Sequence, residues 1–117
     1  MIRVRKEAIQ KEKIEPYFEK WDCLSKEIHA AHDERNGKKA KALMEQGIAL
    51  FEELMVKTAD TEEKELMVNE KYEGMPLNGM DRLLFIKARP GQYACFVQLD
   101  ELFKEAKKRF ARLRVQK

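Results

Sequence analysis

Cysteine, proline and glycine are all scarce in this chain, and each shortage removes a class of protein from consideration. The two cysteines, Cys23 and Cys95, are too few for a disulfide scaffold, and their wide separation matches neither a zinc-ligand nor a redox spacing. They read as free, partly buried thiols in a reducing cytosol. With only five glycines and three prolines, the chain has no Gly-rich phosphate loop, and it also lacks a G-x-S-x-G elbow and an H-E-x-x-H pair. Cys23 and His29 are six positions apart and lie on different helix faces, so no thiol–imidazole couple is available either. Enzyme chemistry is therefore not expected, and neither is a cofactor. No stretch approaches the ~20 apolar residues of a membrane span, and the opening segment MIRVRKEAIQKEK lacks the apolar core of a signal peptide. The expectation is a cytoplasmic, soluble protein without a membrane partner. Repeats at solenoid periods and sustained strand-like alternation are missing as well.

What the chain has in abundance is charge and helical periodicity. Charged residues make up 38% of the sequence and hydrophobic ones 44%; with the apolar residues set three or four positions apart, this describes folded helices with solvated outer faces rather than disorder. The charge is polarised, with −3 over residues 1–76 and +6 over residues 77–117. A basic C-terminal part suits an acidic partner surface or a nucleic-acid backbone, although a Lys- and Arg-rich helical protein reaches such an imbalance without either.

Length and spacing predict a single all-α domain over residues 1–117, a compact bundle or orthogonal array of four main helices with one or two short accessory helical turns. Residues 1–13 form a narrow apolar edge that docks or frays. Pro16 suits the first turn of a helix, which carries the stripe Tyr17, Phe18, Trp21, Leu24, Ile28 and Ala31 and ends near Arg35. Asn36-Gly37 supplies the left-handed stop, and a second stripe runs from Ala40 through Leu43, Met44, Ile48, Phe51 and Leu54 to Met55. Gly47 within that stripe marks either a close helix approach or a glycine that the helix simply tolerates. Residues 59–75 read as a mobile acidic connector in which Asp60 and Glu63 form a capping box for a turn carrying Leu66 and Met67. Asn78 follows as an N-cap, and the dense run Met80, Leu83, Leu84, Phe85 and Ile86 implies burial on more than one side. Arg89-Pro90-Gly91 makes a corner. A last helix from about Gly91 to Leu113 turns Tyr93, Phe96, Val97, Leu99, Leu102, Phe103, Ala106, Phe110 and Leu113 inward.

The series Pro76-Leu77-Asn78, Arg82-Leu83, Phe85-Ile86, Arg89-Pro90, Tyr93, Phe96, Gln98-Leu99 and Leu102-Phe103 resembles the YpoC-like proteins of Firmicutes, small cytoplasmic proteins with no assigned activity. Pro16–Phe18 with Trp21 and Ile28 adds a weaker likeness. The resemblance implies a helical fold and a setting near DNA replication initiation and base-excision repair. The connector and the basic N-terminus lie outside the matched pattern.

Three constellations are candidates for function. His29, His32 and Asp33 stand at helical spacing and could approach one metal ion, but two histidines and one acid beside a loop read more simply as packing and helix-end charge. The pairs Glu52-Glu53 and Glu62-Glu63 read as solvated faces. Arg82, Lys87, Arg89, Lys104, Lys107, Lys108, Arg109 and Arg112 can form a surface for nucleic acid or an acidic partner if they converge on one face. Without a helix-turn-helix spacing or an exposed aromatic pair, any nucleic-acid binding there would be largely independent of sequence. Met44, Met55, Met67, Met75 and Met80 with Tyr72 offer either an adaptable interaction surface or part of the core, and a homodimer burying that surface is a further arrangement. The expected function is a non-enzymatic protein-interaction or adaptor module, with a weak nucleic-acid binder as the alternative.

Overall fold

In a computed structural model, which describes residues 1–116, the chain folds into helices α1 (Lys11–Asp33), α2 (Gly37–Thr58), α3 (Gly79–Ala88) and α4 (Tyr93–Val115), preceded by a 3-10 turn at Lys6–Ile9. The all-α class and the four main helices match the expectation from periodicity. The pairs α1–α2 and α3–α4 are joined by short turns, and α4 packs across α1 and α2.

α1 starts at Lys11 rather than at Pro16, which lies inside it. Ile9 and Ile14 are both buried, and their burial winds the helix one turn earlier. Proline at the sixth helical position forgoes a bond to the Glu12 carbonyl, a cost that the packed apolar face offsets. At the other end the left-handed residue is Arg35 (φ 57°), not Asn36 or Gly37. The Asn36 amide donates to the Ala31 carbonyl at 2.8 Å and the Arg35 amide to that of His32 at 3.0 Å, closing a Schellman motif. Asn36 is thereby free to cap α2, its side chain accepting from the Lys39 amide at 3.1 Å.

Gly47 sits where α2 meets Trp21. A Cβ there would stand 2.6 Å from Trp21 Cζ3 and 3.2 Å from Leu99 Cδ2, so the two helices approach as closely as a bare backbone permits. The indole is stacked on Phe103 (centroids 4.5 Å apart, planes at 9°), and its N–H donates to Asp100 Oδ1 at 3.0 Å. Phe51 meets the same Phe103 ring edge-on at 5.1 Å. Phe96, Leu99, Leu102, Phe103, Ala106, Phe110 and Leu113 complete the core from α4. Met44, Met55 and Met75 are buried with Tyr72, so they are core residues and not an adaptable surface.

The segment between α2 and α3 contains no helix; in place of the helical turn expected to carry Leu66 and Met67, a single turn forms in which the Glu70 amide donates to the Met67 carbonyl at 3.1 Å. Asp60 accepts from Arg5 Nε at 3.3 Å instead of capping, while the Glu63 amide donates to Thr61 Oγ1 at 3.2 Å. The N-terminal residues lie along this segment as a strap. Ile2 pairs with Tyr72 and Val4 with Ala59 in two isolated bridges, and the Lys6 ammonium donates to the carbonyls of Leu113 and Gln116 at the end of α4.

Candidate interaction surface

Asn78 precedes α3 in the left-handed conformation (φ 54°), and its side chain caps nothing, contrary to the N-cap role expected of it. The turn is held by backbone instead: the Gly79 amide donates to the Pro76 carbonyl at 2.8 Å. A Cβ on Gly79 would lie 2.5 Å from Met75 Cγ, so any larger residue there would displace the Met75 side chain over which the turn folds. From there α3 buries Leu83 and Ile86 against α4 but leaves Leu84 and Phe85 outside, at 41% and 54% exposure, with Leu77 at 77%. The expectation of burial on several sides therefore fails. Consecutive helical residues point ~100° apart, so a run of four apolar residues cannot all face one neighbour; with Leu83 and Ile86 inward, three positions apart, Leu84 and Phe85 turn outward. Tyr93 and Val97, expected inside, are also exposed, at 51% and 40%, because at ~100° per residue they point away from the face of α4 that buries Cys95, Phe96 and Leu99.

The eight candidate cations do not gather on one face. Arg82 grips Glu105 with two hydrogen bonds, of 2.9 and 2.7 Å, and also donates to Gln98 Oε1 and to the Leu77 carbonyl, both at 3.2 Å. The hydrogen bonds from Arg82 hold the Glu105 carboxyl below its ordinary pKa against the opposing effect of burial, and the same pairing raises that of Arg82. Lys87 pairs with Glu52 at 2.9 Å across to α2. Lys104 pairs with Asp100 at 2.8 Å within α4, which raises the pKa of its ammonium. Lys107 stands over the Phe18 ring at 5.7 Å. Arg89 is exposed at the corner, where its charge opposes the upward push that burial exerts on the Cys95 thiol. That leaves Lys108, Arg109 and Arg112, which line one cleft with Pro76, Leu77 and Glu105. Arg109 Nε donates to the Glu73 carbonyl at 2.5 Å.

The histidine group does not assemble. His29 pairs with Asp33 at 3.3 Å on the exposed side of α1, while His32 packs edge-on to Tyr93 at 5.2 Å and against Phe96 at 6.2 Å. Among the described residues no three of His, Cys, Asp and Glu come together as a metal ion requires. A second cleft, of about 540 Å3 between α1 and α4, is lined by Phe18, Trp21 and Phe103 with Asp22, Asp100 and Lys104. No helix among the described residues is long and apolar enough to cross a membrane.

Comparison with known proteins gives one consistent result. The family model described as YpoC-like protein matches residues 11–117. The chain is 33% identical over 97 residues to a Bacillus subtilis (strain 168) protein named "Uncharacterized protein YpoC". The match covers 80% of this chain and 59% of that relative, so the chain spans less than two thirds of its length. No solved structure matches.

Proposed function

We propose, for this chain, which belongs to the YpoC-like family, a non-enzymatic role as a helical protein-binding adaptor, with DNA replication or repair as the setting that the family resemblance implies. The observation that carries this reading is the apolar outer face of α3 and its leading turn: Leu77, Leu84 and Phe85 stand in water while residues beside them in sequence fill the core. Such a face stays soluble on a small domain at some cost and gains most when a partner covers it. The nucleic-acid alternative draws less support, because Arg82, Lys87 and Lys104 are held in ion pairs within the fold.

The experiment pairs two measurements on the full chain. Partner capture from native lysate by the wild type is compared with capture by a Leu84→Ser, Phe85→Ser variant of unchanged helicity, and both are titrated with duplex DNA at low and moderate salt. A partner retained by the wild type and lost in the variant supports the adaptor. Tighter than micromolar DNA binding with a steep salt slope, unaffected by the variant, overturns it in favour of a nucleic-acid binder.

A further inference from the structure

We propose that the cleft between the Pro76–Leu77 turn and the C-terminal half of α4 binds an acidic peptide segment that carries an apolar side chain among its carboxylates. This rests on the adaptor reading and names the chemistry of the partner.

The cleft is open, about 410 Å3 in volume, enough for one or two side chains. Its charge is unspent. Lys108 and Arg112, four residues apart and so on one face of α4, enter no ion pair among the described residues, nor does Arg109. Arg109 gives the Glu73 carbonyl only its Nε hydrogen, one of five guanidinium donors, and that bond fixes the group in place. The one acid in the lining, Glu105, is already gripped through both oxygens by Arg82. What remains is a compact group of cations to which carboxylates are complementary.

The apolar part of the cleft is presented rigidly. Leu77 is exposed at 77%, yet its turn is closed by the Gly79–Pro76 hydrogen bond and its carbonyl is held by Arg82, which Glu105 in turn anchors to α4. A leucine fixed in this way loses little freedom when a partner side chain covers it. The same arrangement disfavours nucleic acid as the occupant. The free cations span about one helical turn and do not form a track, since Lys104 is paired and Lys107 lies over Phe18. Leucine and proline between them offer nothing to a phosphate, and the cleft has no aromatic ring on which a base could stack.

The test titrates the full chain by fluorescence anisotropy with a short fluorescein-labelled peptide of aspartate and glutamate carrying two leucines, a matching peptide with serine for leucine, and labelled single-stranded and duplex DNA. The proposal expects micromolar binding of the leucine peptide, weakened roughly tenfold by Leu77→Ser, by Lys108→Glu with Arg112→Glu, or by serine in the peptide. Absence of binding, indifference to the Leu77 and cation variants, or tighter binding of DNA overturns it. Self-association in sedimentation equilibrium that Lys108→Glu abolishes also overturns it, assigning the cleft to a second copy. If the peptide fails while the Leu84→Ser, Phe85→Ser variant still loses the captured partner, the adaptor reading stands and only the acidic assignment falls; if both fail, both fall.

Discussion

Replacing Gly47 by alanine sets two effects of opposite sign against each other. Helix propensity alone favours alanine by ~1 kcal/mol, because glycine in a helix interior has more backbone freedom to lose. Packing acts the other way. The new methyl would lie 2.6 Å from Trp21 Cζ3 and 3.3 Å from Cε3, where carbon atoms prefer ~3.5–4.0 Å, so the indole must retreat by roughly 1 Å. It has little room to do so, stacked on Phe103 and tied through its N–H to Asp100. Overpacking of this kind costs ~1–3 kcal/mol, and the net expectation is a loss of about 1 kcal/mol, or roughly 3–5 °C in melting temperature for a domain of this size. Trp21 is the only tryptophan, so its emission during urea unfolding reports on the site under strain. Gly37→Ala is the internal control: nothing lies within 4 Å of its Cβ position, and propensity should act there unopposed. The Gly47→Ala loss should shrink in a Trp21→Phe background followed by circular dichroism. If Gly47→Ala stabilises the protein as Gly37→Ala does, the close approach of α1 and α2 is refuted.

Further outcomes follow from other contacts. Arg35→Gly should stabilise by about 1 kcal/mol in thermal melts, since a Cβ in the left-handed region is unfavourable and glycine removes it. The pKa of Glu105 is lower folded than unfolded, so its pairing with Arg82 stabilises above the ordinary carboxylate range and is lost as pH falls through the depressed value. Because the pair is partly exposed, the effect is about 1 kcal/mol at most, and Glu105→Gln should flatten this part of the acid-stability profile measured by urea titration. A thiol reagent should label Cys23 within the mixing time under native conditions and Cys95 only on unfolding, because Cys95 is buried and burial raises its pKa. Lys6→Met should speed amide exchange in the last turn of α4 by removing the ammonium from its terminal carbonyls.

The inward stripes of α1, α2 and the latter part of α4 were legible in the sequence because a polar face opposes each of them. Trp21, Ile28, Met44, Phe51, Phe103 and Phe110 all lie where the spacing puts them. The reading failed where local signals compete with distant partners. Asp60 has the right residue three positions on for a capping box, but Arg5 takes its carboxylate from far away in sequence. Pro16 reads as a helix start only if Ile9 and Ile14 are left out of the core. The basic surface was legible as composition and not as geometry: whether Arg82 faces solvent or Glu105 depends on how α3 lies against α4, which periodicity does not encode. Leu77 belongs to the Pro76-Leu77-Asn78 turn pattern, but a single leucine in a turn carries no periodicity that tells whether it faces water or the core.

The strap at the start of the chain has a consequence for synthesis. Residues 2–6 are synthesised before any of their partners: Ile2, Val4 and Arg5 wait for residues 58–73, whereas Lys6 waits for Leu113, 107 positions later at the end of α4. The strap therefore fastens in two stages, residues 2–5 onto the segment after α2 and Lys6 onto α4 only once that helix exists. Limited proteolysis of stalled ribosome complexes should find residues 2–5 cut freely in a chain from which only α1 and α2 have emerged, and protected once residues 59–75 have emerged as well.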